Sequence, residues 1–158
     1  MAVSCCFTGH GTIPEDETES VRTRLQATID TLHREMGVTI FYVGGCTGFD
    51  TLAAKVVFEY RSAHPEVRLI VFVPYRRQPW EWSQEDKAEY NRILAAASEV
   101  VCLAEQYYRG CLPRRNRYMV DRSVVCVSYQ TKDEGGTAST VKYARDKGLS
   151  IYSLVNRD

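Results

Sequence analysis

One stretch decides the fold: Val43-Gly44-Gly45-Cys46-Thr47-Gly48-Phe49-Asp50. The segment before it, Thr39–Val43, is apolar and rich in β-branched and aromatic residues, which is typical of a buried strand. After it, Leu52, Val56 and Tyr60 recur at the spacing of one helix face. The stretch therefore predicts a strand, a glycine-rich turn and a helix.

The glycine-rich turn is a candidate phosphate site. Gly44, Gly45 and Gly48 let the backbone turn sharply, and the following helix directs its free N–H groups and positive dipole end towards the turn. Thr47 could add a hydroxyl. A tight turn with Asp50 as an ordinary N-cap explains the same residues equally well. The spacing is neither that of a P-loop, since no Gly-Lys-Ser/Thr follows, nor G-x-G-x-x-G.

Composition limits the classes of function. The chain has 158 residues, 44% hydrophobic and 25% charged, which suits one well-buried domain spanning 1–158. Lys+Arg and Asp+Glu both number 20, so we expect no non-specific attraction to nucleic acid or membrane. Because neither a secretory signal nor a long apolar run is evident, we expect a cytoplasmic protein.

The cysteines and histidines give no sign of a metal site. None of the six cysteines belongs to a C-x-x-C pair and four lie in apolar strand-like runs, so we expect free thiols. The histidines, His10, His33 and His64, are sparse. The sequence therefore predicts neither a bound metal nor a cofactor.

Six short apolar runs predict the strands of one sheet. They recur at the pitch of βαβ units, roughly 30 residues, and most are continuously apolar, as strands covered on both faces are. The runs are Val3–Thr8, Thr39–Val43, Val67–Val73, Glu99–Leu103, Ser123–Tyr129 and Ser150–Val155. We predict a single α/β Rossmann-like domain of three layers with a mainly parallel sheet of about six strands.

In such a sheet a ligand binds beyond the carboxyl ends of the strands. Gly9 and His10 follow the first strand, where a ligand-facing turn and a plain turn with an exposed histidine both fit. Gly135, Gly136 and Thr137 follow the fifth strand and open a helix, which repeats the phosphate-type arrangement.

Two other loops combine aromatic and basic residues. The loop after the third strand, from Tyr75 to Trp82, could stack on a base or pack on the body; we expect Trp82 to pack and leave Tyr75 open. After the fourth strand an arginine-rich segment enters a helix with Arg115 and Met119 near one face. We expect Met119 to pack inward and Arg115 to reach a phosphate, with a solvated basic helix as the alternative.

Four motifs occur in order: Cys5-Cys6-Phe7-Thr8-Gly9-His10, Gly44-Gly45-x-x-Gly48-Phe49-Asp50-x-x-Ala53-Ala54, Arg115-Asn116-x-Tyr118-Met119-Val120-Asp121, and Gly135-Gly136-Thr137 followed by Tyr143-Ala144. Together they resemble the YpsA-like branch of the SLOG superfamily, which also contains the DNA-processing protein DprA and the "lonely guy" phosphoribohydrolases. The resemblance implies a Rossmann-like fold, frequent dimerisation and a nucleotide-type ligand held around the glycine motifs and Arg115.

Two positions depart from this resemblance. The branch usually has a basic residue where this chain has Gly11, and the hydrolases carry a catalytic glutamate where this chain has Lys142. Because a lysine cannot replace that carboxylate, we predict a noncatalytic nucleotide-binding protein, a sensor or regulator, with no catalytic residue. The alternatives are a nucleoside 5'-monophosphate phosphoribohydrolase using Asp50 or Glu134, and a DprA-like single-strand DNA binder.

The predicted ligand site draws on four loops. Its expected partners are a nucleotide-like small molecule and a second copy of the chain in a homodimer. A membrane is not expected, and a nucleic acid is considered an unlikely partner because the net charge is zero and no extended basic groove is evident. The predicted site residues are Gly9, His10, Gly44, Gly45, Thr47, Gly48, Asp50, Arg115, Asn116, Gly135, Gly136 and Thr137.

Overall fold

The computed structural model describes residues 2–155. Its strands are β1 (Val3–Gly9), β2 (Val38–Val43), β3 (Arg68–Val73), β4 (Glu99–Cys102), β5 (Val125–Tyr129) and β6 (Ser150–Ser153). Its helices are α1 (Thr18–Met36), α2 (Phe49–Ala63), α3 (Gln84–Ala96), α4 (Cys111–Asp121) and α5 (Gly136–Asp146), with a short 3-10 helix (Glu15–Glu17) before α1. Every predicted strand matches an observed one to within about two residues at each end, the usual uncertainty of strand bounds.

The strands form one sheet in the order β4-β3-β2-β1-β5-β6, and all neighbouring pairs are parallel. This confirms the predicted six-stranded Rossmann-like sheet. The chain leaves β1 towards β2, β3 and β4, and then crosses back through α4 to β5 on the other side of β1. The carboxyl ends of β1 and β5 therefore flank the point where strand order switches, which is where such sheets bind ligands.

Helices cover both faces of the sheet and give the three predicted layers. On one face α1, α2 and α3 enclose a core in which the rings of Phe7 and Phe41 stack at 5.7 Å between centroids. On the other face α4 and α5 contribute Met119 and Ala144, which pack against Cys126 of β5. The prediction that Met119 packs inward is confirmed. Burying a large apolar side chain of this kind stabilises the fold by roughly 1.5–3 kcal/mol.

Two further predictions concern the chemistry of the chain. All six cysteines are free thiols, as predicted, and Cys5, Cys6 and Cys126 are buried within the strands. Among the helices of residues 2–155, none combines the length and the apolar character needed to cross a bilayer.

Candidate functional site

A cavity of about 340 Å³ lies at the switch point, beyond the carboxyl ends of β1 and β5 and beside one face of α4. We call it the switch-point cavity. Other residues that line it include Cys46, Leu112, Lys132 and Glu134. Of the predicted site residues, those that line it are Gly9, His10, Asp50, Arg115, Asn116, Gly135, Gly136 and Thr137.

The other four predicted residues, Gly44, Gly45, Thr47 and Gly48, are not among the residues that line the cavity. Gly44 lies against the guanidinium of Arg115, and a Cβ at position 44 would collide with it. Gly48 has a φ of 74° and contacts the backbone of the loop after β1, where a Cβ would also collide. Gly44 therefore leaves room for a side chain of α4, and Gly48 lets two loops pack closely on one another.

The loop after β1 covers the start of α2. The backbone N–H of Phe49 donates to the carbonyl of His10 at 3.0 Å, and the hydroxyl of Thr47 donates to the carbonyl of Gly11 at 3.2 Å. The ring of Phe49 in turn lies directly on Gly9. A helix N-terminus whose N–H group already has a protein acceptor is a poorer anion site. The start of α5 therefore offers the cavity a better anion site than the start of α2.

Arg115 is 4% exposed, and its guanidinium donates hydrogen bonds to other groups of the protein. Its Nη1 donates to the carbonyl oxygen of Gly44 and, at 3.5 Å, to that of Phe72. Its Nε donates to Oδ1 of Asn116 at 2.8 Å. Its Nη2 lies 3.5 Å from Sγ of Cys46, a weak acceptor, so Nη2 is the atom best placed to bind a ligand oxygen instead.

The carboxyl group of Asp50 is buried next to this guanidinium. Burial raises the pKa of Asp50 above its ordinary value, opposed by the charge of Arg115 and by backbone N–H donors, including that of Cys46 at 3.2 Å. Burial likewise raises the pKa of the Cys46 thiol. The guanidinium of Arg115 offsets the charge of the Asp50 carboxyl, so this wall of the cavity is compatible with an anionic ligand.

His10 joins the loops that follow β1 and β5. Its Nε2 accepts a hydrogen bond from the backbone N–H of Thr131 at 2.9 Å, so the proton of the neutral ring is assigned to Nδ1. Its ring packs edge-on against Tyr129. Partial burial, together with the charge of Lys132, lowers the pKa of His10 below its ordinary value. His10 therefore contributes a neutral, hydrogen-bonded ring rather than a positive charge.

The start of α5 forms the open wall of the cavity. Its N-cap, Gly135, has a φ of 97° and makes no side-chain capping hydrogen bond. A Cβ at Gly135 or Gly136 would meet no atom within 4 Å, so space lies above both residues. The helix dipole and the ammonium of Lys132 favour an anion here, whereas Glu134 opposes it. Sequence reasoning missed Lys132 as a lining residue because a single lysine in a loop has no distinctive spacing.

Lys142 lies outside the cavity, although its alignment with a catalytic glutamate had suggested otherwise. Its side chain is 76% exposed and pairs with Asp146 at 2.9 Å, one turn further along α5. Lys142 therefore adds no positive charge to the cavity. The two carboxyl groups considered as its replacements, Asp50 and Glu134, both line it.

A second cavity, of about 450 Å³, follows β3 and β4. Tyr75 and Tyr107 meet edge to face there at 5.5 Å between centroids, and Trp80 is 72% exposed. Trp82 packs edge-on against the buried Tyr90, which confirms the predicted packing role. We call this cavity the aromatic cleft, and its lining residues are Tyr75, Arg77, Gln78, Trp80, Glu81, Trp82, Gln106 and Tyr107.

Comparison with known proteins assigns the chain to a family. A family profile described as the YspA SLOG family matches residues 13–154. The chain belongs to this family. Among its relatives is the uncharacterized SPbeta prophage-derived protein YoqJ of Bacillus subtilis (strain 168), 26% identical over 137 residues that cover 79% of this chain and 80% of YoqJ. The SLOG resemblance inferred from the four motifs is confirmed.

Solved structures of DNA processing protein A share the SLOG fold of this chain. The protein from Helicobacter pylori superposes with a TM-score of 0.70 at 17% identity, covering 98% of this chain and 66% of its own. The protein from Streptococcus pneumoniae superposes with a TM-score of 0.69 at 16% identity, covering 96% of this chain and 50% of its own. The Helicobacter protein is described as having a unique single-stranded DNA binding mode. The expectation that a nucleic acid is an unlikely partner is therefore wrong. A protein of the same fold binds single-stranded DNA, and a neutral net charge does not exclude such binding.

Proposed function

We propose that this protein binds a nucleotide or a nucleotide-derived ligand in the switch-point cavity, with a phosphate group at the start of α5. The observation that carries the proposal is the open space above Gly135 and Gly136, at a helix N-terminus inside a cavity of about 340 Å³. Lys132 and the Nη2 atom of Arg115 supply charge from two further directions. The cavity volume suits a ligand of nucleotide size.

We propose a binding role without catalysis, as a sensor or regulator. Hydrolysis of an N-glycosidic bond needs one carboxyl that is free to meet the positive charge on the ribose. Asp50, the more buried candidate, is hydrogen-bonded to Cys46 and neighbours the Arg115 guanidinium, so its charge is already balanced by the protein. Release of free adenine from AMP by the wild-type protein, lost in Asp50→Asn, would show that the hydrolase alternative is correct.

Binding is tested by thermal shift with AMP, ADP, NAD and ADP-ribose. A compound at about 100 times its dissociation constant stabilises the native state by about 2.7 kcal/mol, equivalent to roughly 5–10 °C for a domain of this size. Gly136→Glu places a carboxylate in the open space at the start of α5, and Gly136→Gln is its uncharged control. We expect the glutamate to reduce the shift more than the glutamine. No shift with any compound would contradict the proposal.

Single-strand DNA binding at the aromatic cleft is the second candidate. It is supported by exposed rings suited to base stacking: Tyr107 is 62% exposed, and the guanidinium of Arg77 lies 5.7 Å from the ring centre of the exposed Trp80. Gln78 connects the cleft to the switch-point cavity, because its Oε1 accepts a hydrogen bond at 3.6 Å from Sγ of Cys46, which lines that cavity. A strand in the cleft could thus continue towards the cavity.

Quenching of tryptophan fluorescence by oligo(dT) tests this second candidate. Stacking on Trp80 predicts quenching that weakens with added salt and that is largely lost in Trp80→Ala, since a stacked base contributes about 1–3 kcal/mol. Glu85→Ala, an exposed residue outside the cleft, is the control.

Dimerisation and a cytoplasmic location, which the sequence suggested, stay predictions. Light scattering tests dimerisation, and cell fractionation tests the location.

A further inference from the structure

Two histidines and a glutamate meet far from the switch-point cavity, where α1 and α2 end. Nε2 of His33 lies 2.8 Å from Oε1 of Glu66, and Nδ1 of His64 lies 4.0 Å from the same oxygen. One ligand-type atom from each of the three residues lies within 4.8 Å of the others. We propose that His33, His64 and Glu66 form a binding site for a divalent transition-metal ion, with Zn²⁺ as the best match.

The spacing of these atoms suits a zinc ion. Zinc binds imidazole nitrogen and carboxylate oxygen at about 2.0–2.2 Å with tetrahedral geometry, which places neighbouring ligand atoms roughly 3.3 Å apart. The two distances to Oε1 of Glu66 fall on either side of this value, and the ligand atoms of the two histidines lie within 4.8 Å of each other, so binding one ion draws the three atoms together by up to roughly 1.5 Å. His64 caps the end of α2 and Glu66 is 52% exposed, so both can adjust.

The hydrogen bonds around His33 fix which of its nitrogens can bind a metal. The hydroxyl of Tyr60 donates its only hydrogen to Oδ1 of Asp30 at 3.1 Å. Nδ1 of His33 lies 2.7 Å from the same hydroxyl oxygen, and we assign Nδ1 as the donor in that contact. In the neutral ring the lone pair is then on Nε2, which faces Glu66.

A lone pair facing a carboxylate oxygen at 2.8 Å is repulsive unless a cation lies between them. Either a proton or a metal ion can fill that role. A zinc-binding histidine usually donates its other ring N–H to an oxygen acceptor that orients the ring, and here that acceptor is a tyrosine hydroxyl bonded to a carboxylate. The His33–Tyr60–Asp30 chain has this arrangement, which a simple surface ion pair does not need.

The ligand set also limits the class of metal. Two imidazoles and one carboxylate suit Zn²⁺, Co²⁺, Ni²⁺ or Cu²⁺, whereas Mg²⁺ and Ca²⁺ prefer oxygen ligands throughout. The side chain of His64 is 34% exposed, so solvent can supply a fourth ligand. A cavity of about 280 Å³ beside His64 and Tyr60 gives access.

Calorimetric titration of the metal-free, reduced protein with Zn²⁺ tests the site. We expect one ion per chain. His64→Gln and Glu66→Gln each remove a ligand from a solvent-accessible position, and we expect each to lower the affinity roughly tenfold or more. His10→Gln also removes one of the three histidines and is the matched control, for which we expect no change in affinity.

Tyr60→Phe separates a metal site from an ion pair. This change keeps the ring but removes the hydroxyl that orients His33, and loss of such an outer partner typically lowers metal affinity about 10–100-fold. Circular dichroism confirms that each variant is folded. The proposal is overturned if the wild type binds no Zn²⁺, or if His64→Gln or Glu66→Gln binds it as tightly as the wild type.

Discussion

Arg115→Met should lower the free energy of unfolding whether or not a ligand is present. The substitution keeps most of the side-chain volume but removes the guanidinium from a position that is 4% exposed. The carbonyl of Gly44 loses its donor, and the buried carboxyl of Asp50 loses the positive charge beside it. Leaving a buried polar group without its partner typically costs about 1–3 kcal/mol. For this chain length that corresponds to a fall in melting temperature of roughly 2–12 °C.

The size of this loss should depend on pH through Asp50. Burial raises the folded-state pKa of Asp50, and the charge of Arg115 holds that pKa down, so the variant should raise it further. A carboxyl whose pKa is higher in the folded state stabilises the fold below its unfolded pKa, about 3.9, and this contribution is lost as pH rises through the folded pKa. The destabilisation by Arg115→Met should therefore be smaller at pH 5 than at pH 8.

Urea unfolding followed by circular dichroism at both pH values measures these effects. Arg117→Met, on the exposed face of the same helix, is the matched control and should change the free energy of unfolding by no more than about 0.5 kcal/mol. Adding Asp50→Asn to Arg115→Met should recover part of the loss, because the amide carries no charge. If Arg115→Met costs less than about 1 kcal/mol yet abolishes AMP binding, the guanidinium serves the ligand and this reasoning is refuted.

Three other predictions test the surroundings of the cavity. Gly48→Ala should destabilise by more than about 2 kcal/mol, because φ is 74° and the Cβ meets backbone, while Gly37→Ala, at a φ of 69° in open space, should cost only about 1 kcal/mol; equal losses in urea unfolding would contradict this. In a nitrogen-15 NMR titration His10 should carry its proton on Nδ1 and show a pKa below 6.5, and an Nε2–H tautomer would be inconsistent with the hydrogen bond from Thr131. Because the side chain of Lys142 is 76% exposed, Lys142→Glu should change the free energy of unfolding by no more than about 0.5 kcal/mol. The variant should also release no adenine from AMP. A gain of hydrolysis would place position 142 in the switch-point cavity.

The strands could be predicted from sequence because central parallel strands are buried on both faces and read as unbroken apolar runs. The prediction was least accurate at the start of Ser123–Tyr129 and at the end of Ser150–Val155, each two residues outside the observed strand. Apolar character alone does not mark where a neighbouring strand stops. The same limit applies to strand bounds in general.

The position of Arg115 was predictable, but its contacts were not. The helical spacing that pairs it with Met119 indicates that it faces inward. Nothing in the sequence shows that Gly44 lacks a side chain in order to leave room for this guanidinium. Glycines that admit a ligand and glycines that admit another side chain of the protein have the same sequence pattern.

The His33, His64 and Glu66 cluster escaped sequence reasoning for a different reason. Metal sites are recognisable when their ligands are close together in the chain at fixed spacing. His33 lies in α1 and His64 caps the end of α2, and only the packing of those helices brings their rings to 4.9 Å between centroids. A site made by tertiary packing leaves no local pattern.

The hydrogen bonds between the loop after β1 and the start of α2 divide the cavity into walls with different mobility. The amide of Phe49, bonded to His10 and placed over a buried ring, should exchange with solvent deuterium only when a large part of the domain opens. The loop that leads to Gly135 is exposed and should exchange through small local openings. A bound phosphate would therefore order mainly the loop that leads to Gly135. The loop after β1 would keep its shape with or without the ligand.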